Sequence, residues 1–491
     1  MTKLANSRWF WVVFVILTIA VYFSGLTIPF VGPDEPRYAQ VAREMFERRD
    51  WITPTLGGFN WFEKPALLYW LQIASYNLFG VTEFAARLGS AVFGLATVGC
   101  LSLLGRNGIE ENGSGSEFAK LLAALGASTL GIIVFAHGAS FDIIVTFPLT
   151  AALTAFFIFE RKSGTLPLAA FYFFVGVALL AKGLIGIVLP FAIVGVYYLI
   201  SWRLPNRKLL LSVLWGTALT IAVAAIWYVP MYLTHGYAFI DEFFIQHHFE
   251  RYTSNKYLHP QPFYFFFLVL PLMTIPWLPF FVVAIGKWVF DLFRRGDAGG
   301  IAENGGVQLK RFALAWLIVP LVFFSFSGSK LPGYILPAVP PAVVITGIFI
   351  ARLMNKNAVW RYPIQVIALG MLLTVYVTIN FALWPYADEE SVRSLIAAAD
   401  LRGFSQSKVM GYQSPSHNAE FYAAGRLFRD GEGKQQSTPD IASMDTFTSP
   451  EKPVLFLVRP NKLEEVVTNE TIKTEVLAFN GKLYIVAVWP K

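Results

Sequence analysis

Residues 166–200 read LPLAAFYFFVGVALLAKGLIGIVLPFAIVGVYYLI, an apolar run whose only charge is Lys182. A single helix needs about 20 residues to cross a hydrocarbon core of roughly 30 Å, so this run predicts two crossings with Ala181-Lys182-Gly183 at the turn between them. Similar runs recur on both sides of it. Eleven candidate spans lie near residues 9–27, 86–105, 118–136, 143–160, 166–181, 184–201, 209–233, 263–288, 312–326, 335–353 and 363–384. Composition agrees, since 55% of the 491 residues are hydrophobic and 14% are charged, where a soluble chain carries about 25% charged residues. The run from Arg8 to Leu26 is longer than the apolar core of a signal peptide and lacks a small-residue cleavage site, so it reads as a retained first span.

The basic residues set the expected orientation. Arg203, Arg207 and Lys208, then Arg294 and Arg295, Lys310 and Arg311, and Arg352 through Lys356 to Arg361 all fall in loops on one side, which the positive-inside rule makes cytoplasmic. Eleven spans from a cytoplasmic N-terminus place the tail from about residue 385 to Lys491 outside. The predicted organisation is a transmembrane domain over 1–384, with a first outer loop over 28–85, and a soluble outer domain over 385–491. That tail shows strand patterns at Lys408 to Tyr412, Val454 to Val458 and Lys482 to Val488, and a helical pattern at Glu389 to Ala399, so it reads as a small α/β unit.

Several functions are disfavoured at this level. The net charge of +7 is scattered among loops rather than gathered on one soluble face, which argues against nucleic acid as a partner. The single cysteine, Cys100, excludes disulfides within the chain and cysteine-based metal sites. No repeat, nucleotide-binding glycine fingerprint or phosphate-binding loop is present.

The ionisable residues that remain sort to the outer side. The first loop contains Asp34-Glu35-Pro36-Arg37-Tyr38 and Phe62-Glu63-Lys64-Pro65; later outer turns contain Ser140-Phe141-Asp142, Ala181-Lys182-Gly183, His247-His248-Phe249-Glu250-Arg251-Tyr252 and Lys330-Leu331-Pro332-Gly333-Tyr334. From Tyr38 the apolar positions Val41, Ala42, Met45 and Phe46 form a helical stripe, predicting an amphipathic helix along the membrane surface. Asp34 sits at its start, either as an N-cap or as a reactive carboxylate. Lys64 reads as a cation for a lipid phosphate or as a snorkelling partner of Glu63, and Ala66 to Phe79 as a second helix, buried or interfacial. Asp142 and Lys182 sit at the edges of apolar runs, where a charge is costly unless paired or hydrated, and function is the default reading; Lys182 reads equally as a turn residue. His248 suits a hydrogen bond to an anion and Arg251 a phosphate contact. Glu63 and His248 are also candidate ligands for a divalent metal, the only cofactor the sequence suggests. His235, His259 and His417 read as ordinary loop residues.

Taken in order, Asp34-Glu35-Pro-Arg37-Tyr38, Asp50-Trp-x-x-Pro54, Phe62-Glu63-Lys64-Pro65, Asp142, Ala181-Lys182-Gly183, His248-x-x-Arg251 and Lys330-Leu-Pro-x-Tyr334 resemble the bacterial 4-amino-4-deoxy-L-arabinose lipid A transferases. Their wider relatives are the protein O-mannosyltransferases of the glycosyltransferase C superfamily. The resemblance runs from about residue 30 to about 350. It implies a polytopic α-helical inner-membrane enzyme of glycosyltransferase C type with 11 to 13 spans and juxtamembrane helices in its first periplasmic loop. Such an enzyme moves a sugar from undecaprenyl phosphate, with inversion, to lipid A or to another glycan, lipid or protein acceptor of the envelope.

By the same resemblance Asp34 and Asp142 are the catalytic acidic residues. Glu63 and Lys64 lie beside the carrier phosphate, Arg251 binds that phosphate with His248 near it, and Tyr334 sits on a mobile loop that closes the cavity. Glu35, Arg37, Tyr38, Lys182 and Lys330 complete the expected substrate-binding set. Eleven spans are fewer than the arabinose transferases lead one to expect. A protein O-mannosyltransferase is the rival within the same class, and a lipid or solute transporter the rival outside it; the charges in outer loops and the absence of repeats weigh against the transporter.

Overall fold

The computed structural model describes residues 8–108, 114–250, 261–294, 305–449 and 452–491. Among them seven helices are long and apolar enough to cross a membrane: Glu83–Gly108, Phe141–Lys162, Thr165–Lys182, Arg207–His235, Gly306–Ser325, Pro332–Lys356 and Ala358–Glu390. The pair Gly115–Ala127 and Leu130–Ala136, bent by 59°, makes an eighth if it is one span. Shorter apolar helices, Arg8–Phe23, Ile185–Ser201 and Leu278–Trp288, fall on the remaining predicted stretches. The chain is a multi-pass membrane protein, with seven or eight full-length spans among the described residues where eleven were expected.

Two of the predicted spans are broken, for reasons visible locally. The helix over 118–136 bends at Ser128 and Thr129. Their hydroxyls donate back to the carbonyls of Ala124 and Leu125 at 2.7 Å each, and the Trp277 indole N–H also reaches the Leu125 carbonyl at 3.1 Å. Carbonyls freed by a bend in an apolar setting need such donors. The stretch over 263–288 divides into Phe265–Met273 and Leu278–Arg294, with Thr274, Ile275, Pro276 and Trp277 between them.

The first eight helices are α1 (Arg8–Phe23), α2 (Asp34–Arg48), α3 (Leu67–Phe79), α4 (Glu83–Gly108), α5 (Ser114–Ala127), α6 (Leu130–Ala136), α7 (Phe141–Lys162) and α8 (Thr165–Lys182), of which α2, α7 and α8 carry candidate residues. The chain forms two compact units. One comprises Met1–Phe23, Glu63–Leu68 and Gly89–Tyr376; the other comprises Ser24–Phe62, Tyr69–Leu88 and Val377–Lys491. Most of the first outer loop therefore belongs with the C-terminal segment. In the first unit α7 and α8 form an antiparallel pair along most of their length, with Phe156 and Phe171 rings 5.8 Å apart.

In the second unit α2 is amphipathic as predicted. It buries Tyr38, Ala39, Val41, Ala42 and Met45 and ends at Arg49, whose left-handed backbone returns its N–H to the Phe46 carbonyl at 3.1 Å. A two-residue hairpin follows, β1 (Thr55–Leu56) and β2 (Phe59–Asn60).

The C-terminal part holds β3 (Val409–Tyr412), β4 (Ser437–Thr438), β5 (Val454–Val458), β6 (Ile472–Phe479) and β7 (Tyr484–Pro490) in the order β4-β3-β5-β7-β6. β3 is parallel to both β4 and β5, and the rest is antiparallel. One face packs Val409, Leu455, Leu457, Ile485 and Ala487 against the helix Arg393–Ala399; the other packs Met410, Phe456, Val486 and Val488 against Val466 of the helix Pro460–Val467. Covering on both faces explains why Val454–Val458 reads as an unbroken apolar run. The predicted helix over 389–399 is interrupted at Ser391 and Val392.

Candidate active site

In the first unit α7 begins and α8 ends at the same end of their pair. The Ser140 hydroxyl caps α7 by accepting the Asp142 N–H at 3.1 Å. Oδ1 of Asp142 forms an ion pair with Nζ of Lys182, the last residue of α8, and Oδ2 accepts from the Ser140 hydroxyl at 3.2 Å. The carboxylate sits at a helix N-terminus and the ammonium at a C-terminus, so both helix dipoles favour the pair. Only 17% and 13% of these two side chains is exposed, an environment that strengthens their attraction and penalises either charge alone. Lys182 is thus more than a turn residue.

Tyr334 completes this cluster. Its ring lies 4.9 Å from the Lys182 ammonium, in the short 3-10 helix Pro332–Ala338. A side chain at Gly333 would overlap the Asp142 carboxylate and approach the Phe135 ring, so glycine is what allows this segment to close over the pair. Lys330 has a different role: its buried ammonium donates to the backbone carbonyls of Ser327 at 2.7 Å and Gln261 at 3.1 Å, tying together the segment that carries Tyr334. Glu63 and Lys64 form an ion pair at 3.0 Å with about an eighth of each side chain exposed.

The second unit holds four more of the predicted residues, Asp34, Glu35, Arg37 and Tyr38. Asp34 is exposed at the first position of α2 and does not cap it; the residue before it, Pro33, is the N-cap, with no side-chain cap bond. Among the described residues Asp34 makes no hydrogen bond or ion pair. Glu35 is held by Arg87 in a two-pronged pair, Nε to Oε1 at 2.9 Å and Nη2 to Oε2 at 2.8 Å. Arg87 also donates to the carbonyls of Leu26 and Ile28 and lies over the Phe30 ring, which fixes the start of α2. Arg37 stands 5.6 Å over the Trp61 ring, and Tyr38 is buried.

The helix Ala419–Tyr422 from the C-terminal part lies against α2. Arg43 donates to the Phe421 carbonyl at 2.7 Å and covers its ring at 4.2 Å, while the Tyr422 hydroxyl donates to Glu83 at 3.0 Å and accepts the Phe30 N–H at 2.8 Å. His417, just before that helix, feels both Asp34 and Arg37. Desolvation, then the Arg37 charge, hold its imidazole below the usual histidine range, with Asp34 opposing. The sequence reading passed over Arg87 and took His417 for an ordinary loop residue. Arg87 was signalled by a lone arginine near the start of an apolar run; nothing local marks His417.

His248 lies in the π-helical stretch Asp241–Glu250, with its side chain outside the described residues, and Arg251 lies outside them altogether. Among the described residues no group of three or more His, Cys, Asp or Glu side chains could hold a metal ion. Of the two metal-ligand candidates only the Glu63 side chain is described, and its carboxylate is engaged by Lys64.

A bundle of apolar helices, a loop helix bound to an α/β unit, and ionisable residues gathered at helix ends make this a polytopic membrane protein. Residues 7–246 match the family described as dolichyl-phosphate-mannose-protein mannosyltransferase.

The undecaprenyl phosphate-alpha-4-amino-4-deoxy-L-arabinose arabinosyl transferase of Shewanella sediminis is 32% identical over 64% of this chain and 54% of its own length; that of Aeromonas hydrophila is 31% identical over 67% and 56%. The chain thus spans about half the length of the curated relatives it matches. The crystal structure of ArnT from Cupriavidus metallidurans bound to undecaprenyl phosphate shares the fold with a TM-score of 0.78 over 98% of both chains, at 23% identity. The archaeal oligosaccharyltransferase AglB from Archaeoglobus fulgidus shares it more distantly, with a TM-score of 0.51 over 88% of this chain and 62% of its own, at 14% identity. The resemblance read from the motifs is borne out: the chain is similar to the arabinosyl transferases over most of its membrane part and to the protein mannosyltransferases over its first half.

Proposed function

We propose that the chain is an inverting glycosyltransferase that moves a sugar, 4-amino-4-deoxy-L-arabinose or a close relative, from undecaprenyl phosphate to lipid A or another envelope acceptor. The reaction takes place at the periplasmic face of the inner membrane, the side opposite the Lys- and Arg-rich loops. The observation that carries this reading is the Asp142–Lys182 pair beneath Tyr334, set in a fold shared with a protein bound to undecaprenyl phosphate.

In this reading the acceptor oxygen attacks the anomeric carbon opposite the bond to phosphate. That carbon–oxygen bond breaks, its electron pair leaves on undecaprenyl phosphate, and the configuration inverts. Lys64 and Arg251, with Glu63 and His248 beside them, hold the departing phosphate, whose growing charge cations stabilise in a dry setting. Asp34, exposed and without a hydrogen-bond partner among the described residues, is available to reacting groups. It takes the proton of a hydroxyl acceptor, or orients the sugar when the acceptor is an already anionic phosphate. Asp142 is the second acidic residue, Lys182 sets its charge and position, and Tyr334 closes over the bound sugar. Arg37 and Tyr38 shape the start of α2, Glu35 anchors it through Arg87, and Lys330 anchors the segment bearing Tyr334. A divalent metal, if one is used, would draw on Glu63 and His248.

The match to the dolichyl-phosphate-mannose-protein mannosyltransferases favours a second reading, in which the donor carries mannose and the acceptor is a protein hydroxyl. Mass spectrometry of lipid A and of envelope proteins, from cells producing or lacking the chain, separates the two. Lipid A heavier by one aminopentose, dependent on the chain, is the expected result. Unchanged lipid A with newly hexosylated proteins would replace the first reading by the second.

A further inference from the structure

β3 and β5 are adjacent and parallel, with Val409 opposite Leu455 and Gly411 opposite Leu457, and their chains leave in different directions. After β3 the chain enters Ala419–Tyr422, whose Ala419 packs on one face of the sheet, and returns as β4 on one side. After β5 it enters Pro460–Val467, whose Val466 packs on the other face, and returns as β6 and β7 on the other side. This is a topological switch point, and open α/β sheets bind ligands in the crevice that such a divergence leaves outside the carboxyl ends of the strands.

A cleft of ≈ 250 Å³ lies there. Gly411 permits it, because a side chain at that position would collide with the Ser414 carbonyl, and the turn over Gln413 could not fold back onto the strand.

The lining is polar in a specific way. Arg459 is exposed at the end of β5 with no side-chain partner among the described residues. His417 and Ser414 offer an imidazole and a hydroxyl that make no side-chain hydrogen bond there. Leu457, Leu483 and Pro415 supply an apolar wall. Glu390, the one carboxylate on the lining, is paired with Lys482 at 2.9 Å, so it does not repel an anion. One cation, free hydroxyl and imidazole groups, and an apolar wall in a volume of monosaccharide size suit a sugar that carries a phosphate. The cleft also reaches the first outer loop within the same unit: Gly32 and Pro33 line it, Asp34 is the next residue, and His417 feels both Asp34 and Arg37.

We infer that this cleft is a second substrate subsite, in which the second unit holds a phosphorylated monosaccharide headgroup of the acceptor beside the start of α2. The inference rests on the proposed transferase reading for the word acceptor, while the binding itself does not depend on it.

The test is binding of glucosamine 1-phosphate to the full-length protein in nanodiscs, by calorimetry, with inorganic phosphate and glucosamine as separate probes. Arg459→Gln changes an exposed residue and leaves the fold intact. It is expected to weaken glucosamine 1-phosphate roughly tenfold, with undecaprenyl phosphate binding unchanged, and wild type is expected to prefer the phosphorylated sugar to either probe. Equal affinity of wild type and Arg459→Gln overturns the proposal; so does inorganic phosphate binding as tightly as the sugar phosphate, which would mark an adventitious anion site only. Retention of the cleft's binding pattern in a protein that transfers no sugar from undecaprenyl phosphate would remove the transferase reading and leave the subsite standing.

Discussion

Replacing Arg87 with methionine is expected to destabilise the second unit by about 3–5 kcal/mol, the cost of breaking a buried ion pair from one side. The Arg87 side chain is 5% exposed and that of Glu35 is 22% exposed. Methionine leaves the carboxylate without its cation, and it removes the donor shared by the carbonyls of Leu26 and Ile28 as well. That loss is a large share of the 5–15 kcal/mol that holds a typical domain folded. Limited proteolysis of the purified protein across a urea series reads it directly, because the C-terminal part from Val377 belongs to the same unit. Adding Glu35→Gln to Arg87→Met is expected to cost less than the sum of the single changes, as required when two groups act as one pair. Equal protease resistance of wild type and Arg87→Met would show that the pair does not hold α2 in place.

The second large effect concerns chemistry rather than folding. Asp34→Asn is expected to lower sugar transfer by on the order of 10²–10⁴-fold, the range over which a positioned acid or base contributes. Stability should hardly move, since the Asp34 side chain is exposed and neither caps α2 nor pairs with a described residue. Initial rates in membranes containing equal amounts of the two proteins give the comparison, and undecaprenyl phosphate binding should persist in the variant. A loss of only a few fold would reduce Asp34 to an electrostatic neighbour of His417.

Much of this architecture could be read from local pattern. The apolar run over 166–200 does form two helices with the turn at Gly183, the stripe from Tyr38 to Phe46 does make an amphipathic helix, and three strands of the C-terminal sheet lie where alternation and apolar runs place them. β6 escaped because it is largely exposed and its sequence IKTEVLAF mixes charged with apolar positions. The bend at Ser128 and Thr129 is stabilised by an indole from far along the chain, which no window around residue 128 contains.

The same limit applies to the site. Asp142 and Lys182 are conspicuous as charges at the edges of apolar runs, but their pairing depends on how α7 and α8 meet. The anchoring of α2 by Phe421 and Tyr422, and the placing of His417 near Asp34, bring together residues nearly 400 positions apart. Sequence marks which groups are costly to leave alone; the fold decides what each is paired with.

The most direct test of the central claim is donor chemistry. Purified wild-type protein is given a panel of undecaprenyl-phosphate sugars and, separately, the corresponding nucleotide sugars, with envelope lipids as acceptor, and liberated undecaprenyl phosphate is measured alongside transferred sugar. The account predicts one undecaprenyl phosphate released for each sugar transferred, and no transfer from nucleotide sugars. Transfer from a nucleotide sugar, or sugar transfer without release of undecaprenyl phosphate, would contradict it.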